Sequence, residues 1–306
     1  MRLMKKVSIM LNLYLPKIFL LDKVLSMIAI QKTDYGIELI IVDKKIENDS
    51  KSFLKEFEKK QIRNIKIKTI KVNENISFAS SMNAGIKKCK NEVVVVLQQD
   101  CIPTSENWLQ NLISPFEDNN VVATVSRVQF PEELWNKLSS FAKAIMIREK
   151  GIITPLLDEK ACAYRMSAMR KVNFFNDKDF QTAGEDFDLY IKLKECGKID
   201  YPDAEVVHYH PTDFKSRMKK INQYSNGFGT LVRIYGRRIP RWYFGFLKAI
   251  PIFGIIPFLF SYKITKEPKL YPIYIILTPA MHYFYITGFW KGFISGRQNV
   301  DVFLKN

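Results

Sequence analysis

An α/β fold with a mostly parallel sheet is predicted by three features of the chain. Apolar runs rich in β-branched residues alternate with longer helical patterns over the first hundred residues, two of those runs end in a carboxylate, and no internal repeat interrupts the order. Strand, helix, strand repeated in this way argues for one sheet covered by helices.

The elements follow in order. Strands are expected at Val7 to Leu11, Glu38 to Val42, Ile65 to Val72 and Val93 to Leu97, with helices at Ile18 to Ile30, Ser52 to Glu58 and Ala79 to Lys88 between them. Ligands of such sheets bind beyond the carboxyl ends of the strands, so Asp43 after the second strand and Asp100 after the fourth are the first residues to inspect.

A length of 306 residues with 47% hydrophobic content allows one large core and an annex. Lys and Arg number 47 against 31 Asp and Glu, a net charge of +16 that points to anionic partners such as phosphates or anionic lipid. Cys89, Cys101, Cys162 and Cys196 form no CxxC pair, so neither a zinc site nor a disulfide framework is expected, and the thiols read as reduced and intracellular. The opening MRLMKKVSIMLNLYLP has an apolar run broken by Asn12 and Pro16 and no cleavage site, so no secretory signal is expected. Walker A, GxGxxG, HExxH and GxSxG motifs are absent, and no nucleic-acid motif accompanies the positive charge.

Composition changes after His210. Nine basic residues and no acidic one lie between Lys215 and Lys248, where Met218, Ile221, Tyr224, Phe228, Leu231 and Tyr235 recur at helical spacing, with Gly227 and Gly229 weakening the pattern. Two apolar segments follow, Tyr243 to Phe260 and Tyr271 to Trp290, each near the length that spans a hydrocarbon core of ~30 Å.

The strongest local signal is VVVVLQQDCIP, a buried strand ending at Asp100 and a proline turn. A carboxylate there can hold a divalent cation that bridges the phosphates of a nucleotide leaving group; taken alone, it fits a turn or the cap of a helix near Asn107 equally well. In TAGEDFDLYIKLKECG, Thr182 and Glu185 have capping-box spacing and Gly197 marks the far end. Glu185, Asp188, Lys192 and Glu195 fall on one polar face, while Asp186 aligns with Leu189, Tyr190 and Leu193 and is expected to face inward. His208 and His210 flank Tyr209 at the end of AEVVHYH and would face one side of a strand.

Taken in order, VSIMLNLY, ELIIVD, SFASSMNAGI, LQQDCIP, AYRMSAMRKVNFF and TAGEDFDLYIKLKECG resemble family 2 glycosyltransferases of the GT-A fold, over about Val7 to Tyr209. The resemblance implies an inverting transfer of a sugar from a nucleotide-sugar donor to an acceptor hydroxyl. It places Asp43, Asn83, Gln98 and Gln99 at the donor, and Asp100 with His210, slightly preferred over His208, at a Mg²⁺ or Mn²⁺ ion. It makes Asp186 the general base, with Glu185 beside it. Two positions depart from the family pattern. Gln98 stands where the DxD motif has its first carboxylate, and Lys44 and Lys45 follow Asp43 where acidic and glycine residues are usual. RIPRW, Arg238 to Trp242, resembles the QxxRW of sugar polymerases with Arg in place of Gln, and reads as a basic interfacial anchor.

The expected organisation is a GT-A catalytic domain over 1–212, a basic amphipathic interfacial segment over 213–242, two hydrophobic membrane segments over 243–290 and a basic tail over 291–306. Loop lysines Lys263, Lys266 and Lys269 are basic for a translocated loop, so a spanning hairpin and a re-entrant or interfacial pair both stay open. Either version places the catalytic domain at the cytoplasmic face of the cell membrane, with a lipid-linked or glycan acceptor. The competing readings are a nucleotidyltransferase on a related sheet and an inactive, membrane-bound basic binding protein.

Overall fold

The structure, a computed structural model, describes residues 5–60, 65–147, 150, 157, 160–181, 183–239, 241–260 and 267–295. Thr182 of the expected capping box, Pro240 of RIPRW, the loop lysines Lys263 and Lys266 and the tail beyond Ser295 lie outside the described residues. The backbone forms two compact units. One comprises Met1–Gln129, Ile153–Phe175 and Asp186–Tyr209, the other Phe130–Ile152, Asn176–Glu185 and His210–Asn306.

The first unit opens with β1 (Lys6–Tyr14), α1 (Ile18–Ala29), β2 (Gly36–Lys45), α2 (Asn48–Lys59), β3 (Ile65–Lys71), α3 (Phe78–Ile86) and β4 (Val93–Gln98). It continues through β5 (Cys101–Pro103), α4 (Trp108–Ile113), β6 (Val121–Val125) and β7 (Arg127–Gln129). The chain leaves for the second unit as α5 (Glu132–Lys137) and α6 (Ser140–Met146) and returns as β8 (Ala161–Arg165), α7 (Met166–Lys171), α8 (Glu185–Lys194), β9 (Lys198–Asp200) and β10 (Glu205–His208).

Seven strands form one sheet in the order β3-β2-β1-β4-β8-β6-β9, with β8 antiparallel to both neighbours and every other pairing parallel. The mixed α/β architecture with a parallel-rich sheet is as the sequence predicts. Every residue of β4, VVVVLQ, is buried, as a central strand covered on both faces requires. One face packs Leu21, Leu25 and Ile28 of α1, Phe57 of α2 and Trp108 of α4; the other packs Met82 and Ile86 of α3, Met169 of α7 and Leu189 and Leu193 of α8. The edge strand β3, IKIKTIK, carries the lysines that keep an open edge from pairing with another chain. Gly85 lets α3 lie close on the sheet, since a Cβ there would come 2.6 Å from Val42 and 2.7 Å from Met10. A second, three-stranded sheet has the order β5-β10-β7.

The second unit adds α9 (Phe214–Tyr235), α10 (Trp242–Lys248), α11 (Ile255–Leu259) and α12 (Tyr271–Ser295). Asp213 caps α9, its Oδ1 accepting from the Ser216 amide at 2.9 Å. Of the glycines that weaken the helical pattern in the sequence, Gly229 lies where the long helices touch, and Gly227 lies against the backbone of Ala183 and Gly184. A Cβ on Gly229 would sit 2.1 Å from the Phe289 carbonyl oxygen, and one on Gly292 would sit 1.9 Å from that of Asn226. Helix α9 therefore runs unbroken because its partner α12 is notched by Gly288 and Gly292.

Among the described residues no spanning hairpin is found. Tyr243 to Phe260 is two short helices, separated by a turn in which Ile252 takes φ +64°. Helix α12 is long enough, but its tyrosines, prolines and His282 dilute its apolar character, and among the described residues no helix is long and apolar enough to cross a membrane.

Candidate active site

The carboxyl ends of β1, β2 and β4 bring the first candidates together. Strand register sets Asn12 between Val42 and Gln98, and Leu13 opposite Asp43. Asp43 is buried at the end of β2. Gln99 fixes the end of β1: its Oε1 accepts from the Tyr14 amide at 2.8 Å and its Nε2 donates to the Tyr14 carbonyl at 2.9 Å. Gln98 directs its Nε2 toward Met82 Sδ at 3.5 Å. The sequence reading passed over Asn12. Its Nδ2 donates to Ser81 Oγ at 3.1 Å, and its Oδ1 is buried with no hydrogen-bond partner, a polar atom costly to leave so unless a ligand supplies the donor. The available signal was one amide inside the apolar run VSIMLNL.

Asn83, buried on α3, makes two hydrogen bonds to one backbone residue: Nδ2 donates to the Phe175 carbonyl at 2.9 Å and Oδ1 accepts from the Phe175 amide at 3.0 Å. It thereby steadies a turn in which Asn173 and Phe174 take φ +60° and +63°.

The cation candidates assemble through the small sheet. Strands β5 and β10 pair antiparallel with Cys101 opposite His208, and the Tyr209 amide donates to the Asp100 carbonyl at 2.9 Å. His208 Nε2 comes to 3.3 Å from Asp100 Oδ2, and Cys101 Sγ to 3.8 Å from Oδ1, so one ligand atom from each lies within 4.8 Å of the others. His208, the alternative to His210, thus comes close to Asp100. His210 stacks on Phe130 in the second unit, 6.1 Å between ring centres and 7° from parallel. A carboxylate oxygen and an imidazole nitrogen suit Mn²⁺ well and Mg²⁺, which prefers oxygen, less well. The Asp100 side chain is 29% exposed, so it can meet a diphosphate, whereas the Cys101 thiol is wholly buried in the core.

Cations surround this end of the sheet. Lys44 Nζ lies 5.3 Å from the centre of the Tyr14 ring, and burial holds its pKa below the ordinary lysine value. Lys45 pairs with Glu74 at 3.1 Å, and Lys23 Nζ lies 5.5 Å from the centre of the Tyr209 ring.

On α8 the burial differs from the sequence expectation. Leu189 and Leu193 are buried as expected, but Asp186 is only half-buried, with its Oδ1 accepting from the Phe187 amide at 2.7 Å. Glu185 and Asp188, expected on a polar face, are the buried carboxylates, and Asp188 pairs with Lys192 at 2.6 Å. Within the same first turn Glu185 and Asp188 are buried, while Asp186, about 100° round the helix from Glu185, is left within reach of solvent. Gly197 ends the helix region for a reason other than a left-handed cap: a Cβ there would sit 2.4 Å from the Asn120 carbonyl oxygen.

Solved structures of similar fold place this arrangement in context. The mannosyltransferase PcManGT from Pyrobaculum calidifontis, in complex with GDP-Man and Mn²⁺, superposes with a TM-score of 0.63 at 15% identity, covering 95% of this chain and 87% of its own. GalNAc-T7 with UDP, GalNAc and Mn²⁺ superposes with a TM-score of 0.59 at 14% identity, over 90% of this chain and 56% of that one. No curated protein matches at the level of sequence. The profile described as "Glycosyl transferase family 2" matches residues 19–173, just over half of the chain and the span that carries Asp43, Asn83 and Asp100. The chain belongs to glycosyl transferase family 2.

Proposed function

We propose that this glycosyltransferase moves a sugar from a nucleotide-sugar donor to the hydroxyl of a lipid-linked glycan, in one inverting displacement at the cytoplasmic face of a membrane. The observation that carries the donor half is the pairing of Asp100 with His208 at the end of β4, in a chain of this family. The structurally similar proteins with GDP-Man or UDP were both solved with Mn²⁺, which supports the same use of the pair. Asp100 and His208 would hold Mn²⁺ or Mg²⁺, whose charge offsets that of the departing diphosphate. Asp43 and the free lone pair of Asn12 Oδ1 are positioned at the carboxyl ends of β2 and β1 to take donors from the nucleoside. Half-buried Lys44, at the same end of β2, suits an anionic phosphate group.

Asp186 accepts the acceptor's hydroxyl proton as the oxygen attacks the anomeric carbon. The carbon–oxygen bond to the diphosphate breaks, the nucleoside diphosphate leaves with that electron pair, and inversion follows from attack on the opposite face. Partial exposure leaves Asp186 accessible to an acceptor, as a base must be.

The test is transfer by the purified full chain from a panel of UDP- and GDP-sugars, with Mn²⁺ or Mg²⁺, to a polyprenyl-diphosphate-linked sugar. The product's anomeric configuration is read by NMR. A product of opposite configuration to the donor is expected; retention of configuration rules out the single displacement, and transfer only to soluble glycans rules out the lipid-linked acceptor.

A further inference from the structure

We infer that the turn between α10 and α11, with Ile252 and Phe253 at its tip, is a wedge that inserts into the headgroup layer of an anionic membrane. This deepens the placement at a membrane face proposed above and rests on it. Ile252 is 81% exposed, Phe253 74% and Phe260 78%. Tyr243 and Ile256 are exposed as well, and Phe244, Ile250 and Pro257 line an apolar groove among them. Scattered exposed apolar residues are ordinary; a contiguous aromatic and aliphatic patch over one hairpin is a binding surface.

The tip is built to project. Ile252 is β-branched and takes a left-handed backbone, which such residues avoid, where an unconstrained surface turn would carry Gly or Asn. Three side chains of α12 hold the hairpin by its carbonyls: His282 Nε2 donates to Lys248 at 2.8 Å, Trp290 Nε1 to Ala249 at 2.7 Å and Tyr285 Oη to Gly245 at 3.0 Å. Phe258, buried in the core of the same unit, pins α11. The patch is therefore fixed in place and exposed at once.

Charge decides the occupant. Arg237, Arg238 and Arg241 are exposed just ahead of α10, and the sequence has no Asp or Glu between Asp213 and Glu267. An apolar turn preceded, one short helix earlier, by exposed arginines matches the boundary between acyl chains and anionic headgroups. A second copy of the chain would bring the same cations against one another, which disfavours self-association through this face.

The test is flotation of the full chain with vesicles of phosphatidylcholine alone and of phosphatidylcholine mixed with phosphatidylglycerol, without donor or acceptor. Vesicle binding is read apart from sugar transfer, so its failure leaves the transferase reading standing. The parent is expected to bind the mixed vesicles. The double variant Ile252→Asn, Phe253→Ser should lose at least about a hundredfold in partitioning, and each of Arg237→Gln and Arg238→Gln about fivefold on mixed vesicles only. Asn tolerates the left-handed backbone, so the double variant should melt as the parent does; if it melts early, Phe260→Ser carries the same expectation of weakened binding. Parent protein that ignores mixed vesicles, or folded variants that bind as the parent does, overturn the proposal. So does self-association of the parent that the double variant loses while vesicle binding is kept.

Discussion

Truncating Asn83 separates a scaffolding role from the donor contact that its family resemblance implies. Both polar ends of the side chain are engaged by Phe175, at 2.9 and 3.0 Å, and both residues are buried. Asn83→Ala strands one buried N–H and one buried carbonyl, each costing about 1–3 kcal/mol, so the loss of stability is about 2–6 kcal/mol. At about 2–4 °C per kcal/mol for a protein of this size, the melting transition should fall by about 4–24 °C. The assay is thermal unfolding by circular dichroism, paired with titration of a nucleoside diphosphate well below the transition. The structure predicts a lower transition with affinity kept within about twofold in the folded protein. A transition within about 2 °C of the parent together with lost nucleotide binding would refute the scaffold role and make Asn83 a donor ligand.

Other substitutions address other parts of the account. Asp186→Asn keeps shape but cannot accept a proton, so it should retain nucleotide binding and lose about 10²–10⁴-fold in turnover; a rate near the parent's moves the base to Glu185 or Asp188. Gly292→Ala places a methyl 1.9 Å from the Asn226 carbonyl as the backbone stands, so the long helices must part at a cost of about 1–3 kcal/mol, read as a lowered melting temperature. Asp213 caps α9, and hydrogen bonds from Ser216 hold its carboxyl below the usual range. A depressed folded-state pKa contributes stability above the unfolded value, lost as pH falls through the folded one. Asp213→Ala should therefore cost about 0.5–2 kcal/mol near neutral pH, a deficit that shrinks below about pH 4; an unchanging deficit assigns the effect to something other than the charged cap.

The four parallel strands at the start of the chain were legible because a strand buried on both faces must be a continuous apolar run, and VVVVLQ and ELIIVD are such runs. Asp43 and Asp100 were legible for the same reason, as carboxylates where those runs stop. The antiparallel return β8 was not. ACAYR is short, lies far along the chain from its partner β4, and its pairing depends on a non-local register that no local pattern records. The approach of His208 to Asp100 was equally hidden, since period-two geometry puts His208 and His210 on one side and the antiparallel pairing of Cys101 with His208 is non-local. Helix α9 was half legible: its apolar spacing showed, but Gly227 and Gly229 read as breaks because what they fit, the backbone of Ala183 and Gly184 for the first and α12 for the second, is far along the chain. Asn12 escaped because one amide in an apolar strand looks like an interruption until its unpartnered oxygen is seen near the carboxyl end of β1.

The most direct measurement is calorimetric titration of GDP and UDP into the full chain with and without Mn²⁺, repeated on Asp100→Ala and His208→Ala. The account predicts that the parent binds at least one of the two nucleotides in a Mn²⁺-dependent way. His208→Ala should weaken that binding by about 10–100-fold, the size of effect typical where metal-site geometry is disturbed, and Asp100→Ala should remove the Mn²⁺ dependence. Nucleotide binding that Mn²⁺ leaves unchanged in the parent, or that survives Asp100→Ala with its Mn²⁺ dependence intact, would contradict the assignment of Asp100 and His208 as the centre of the donor site.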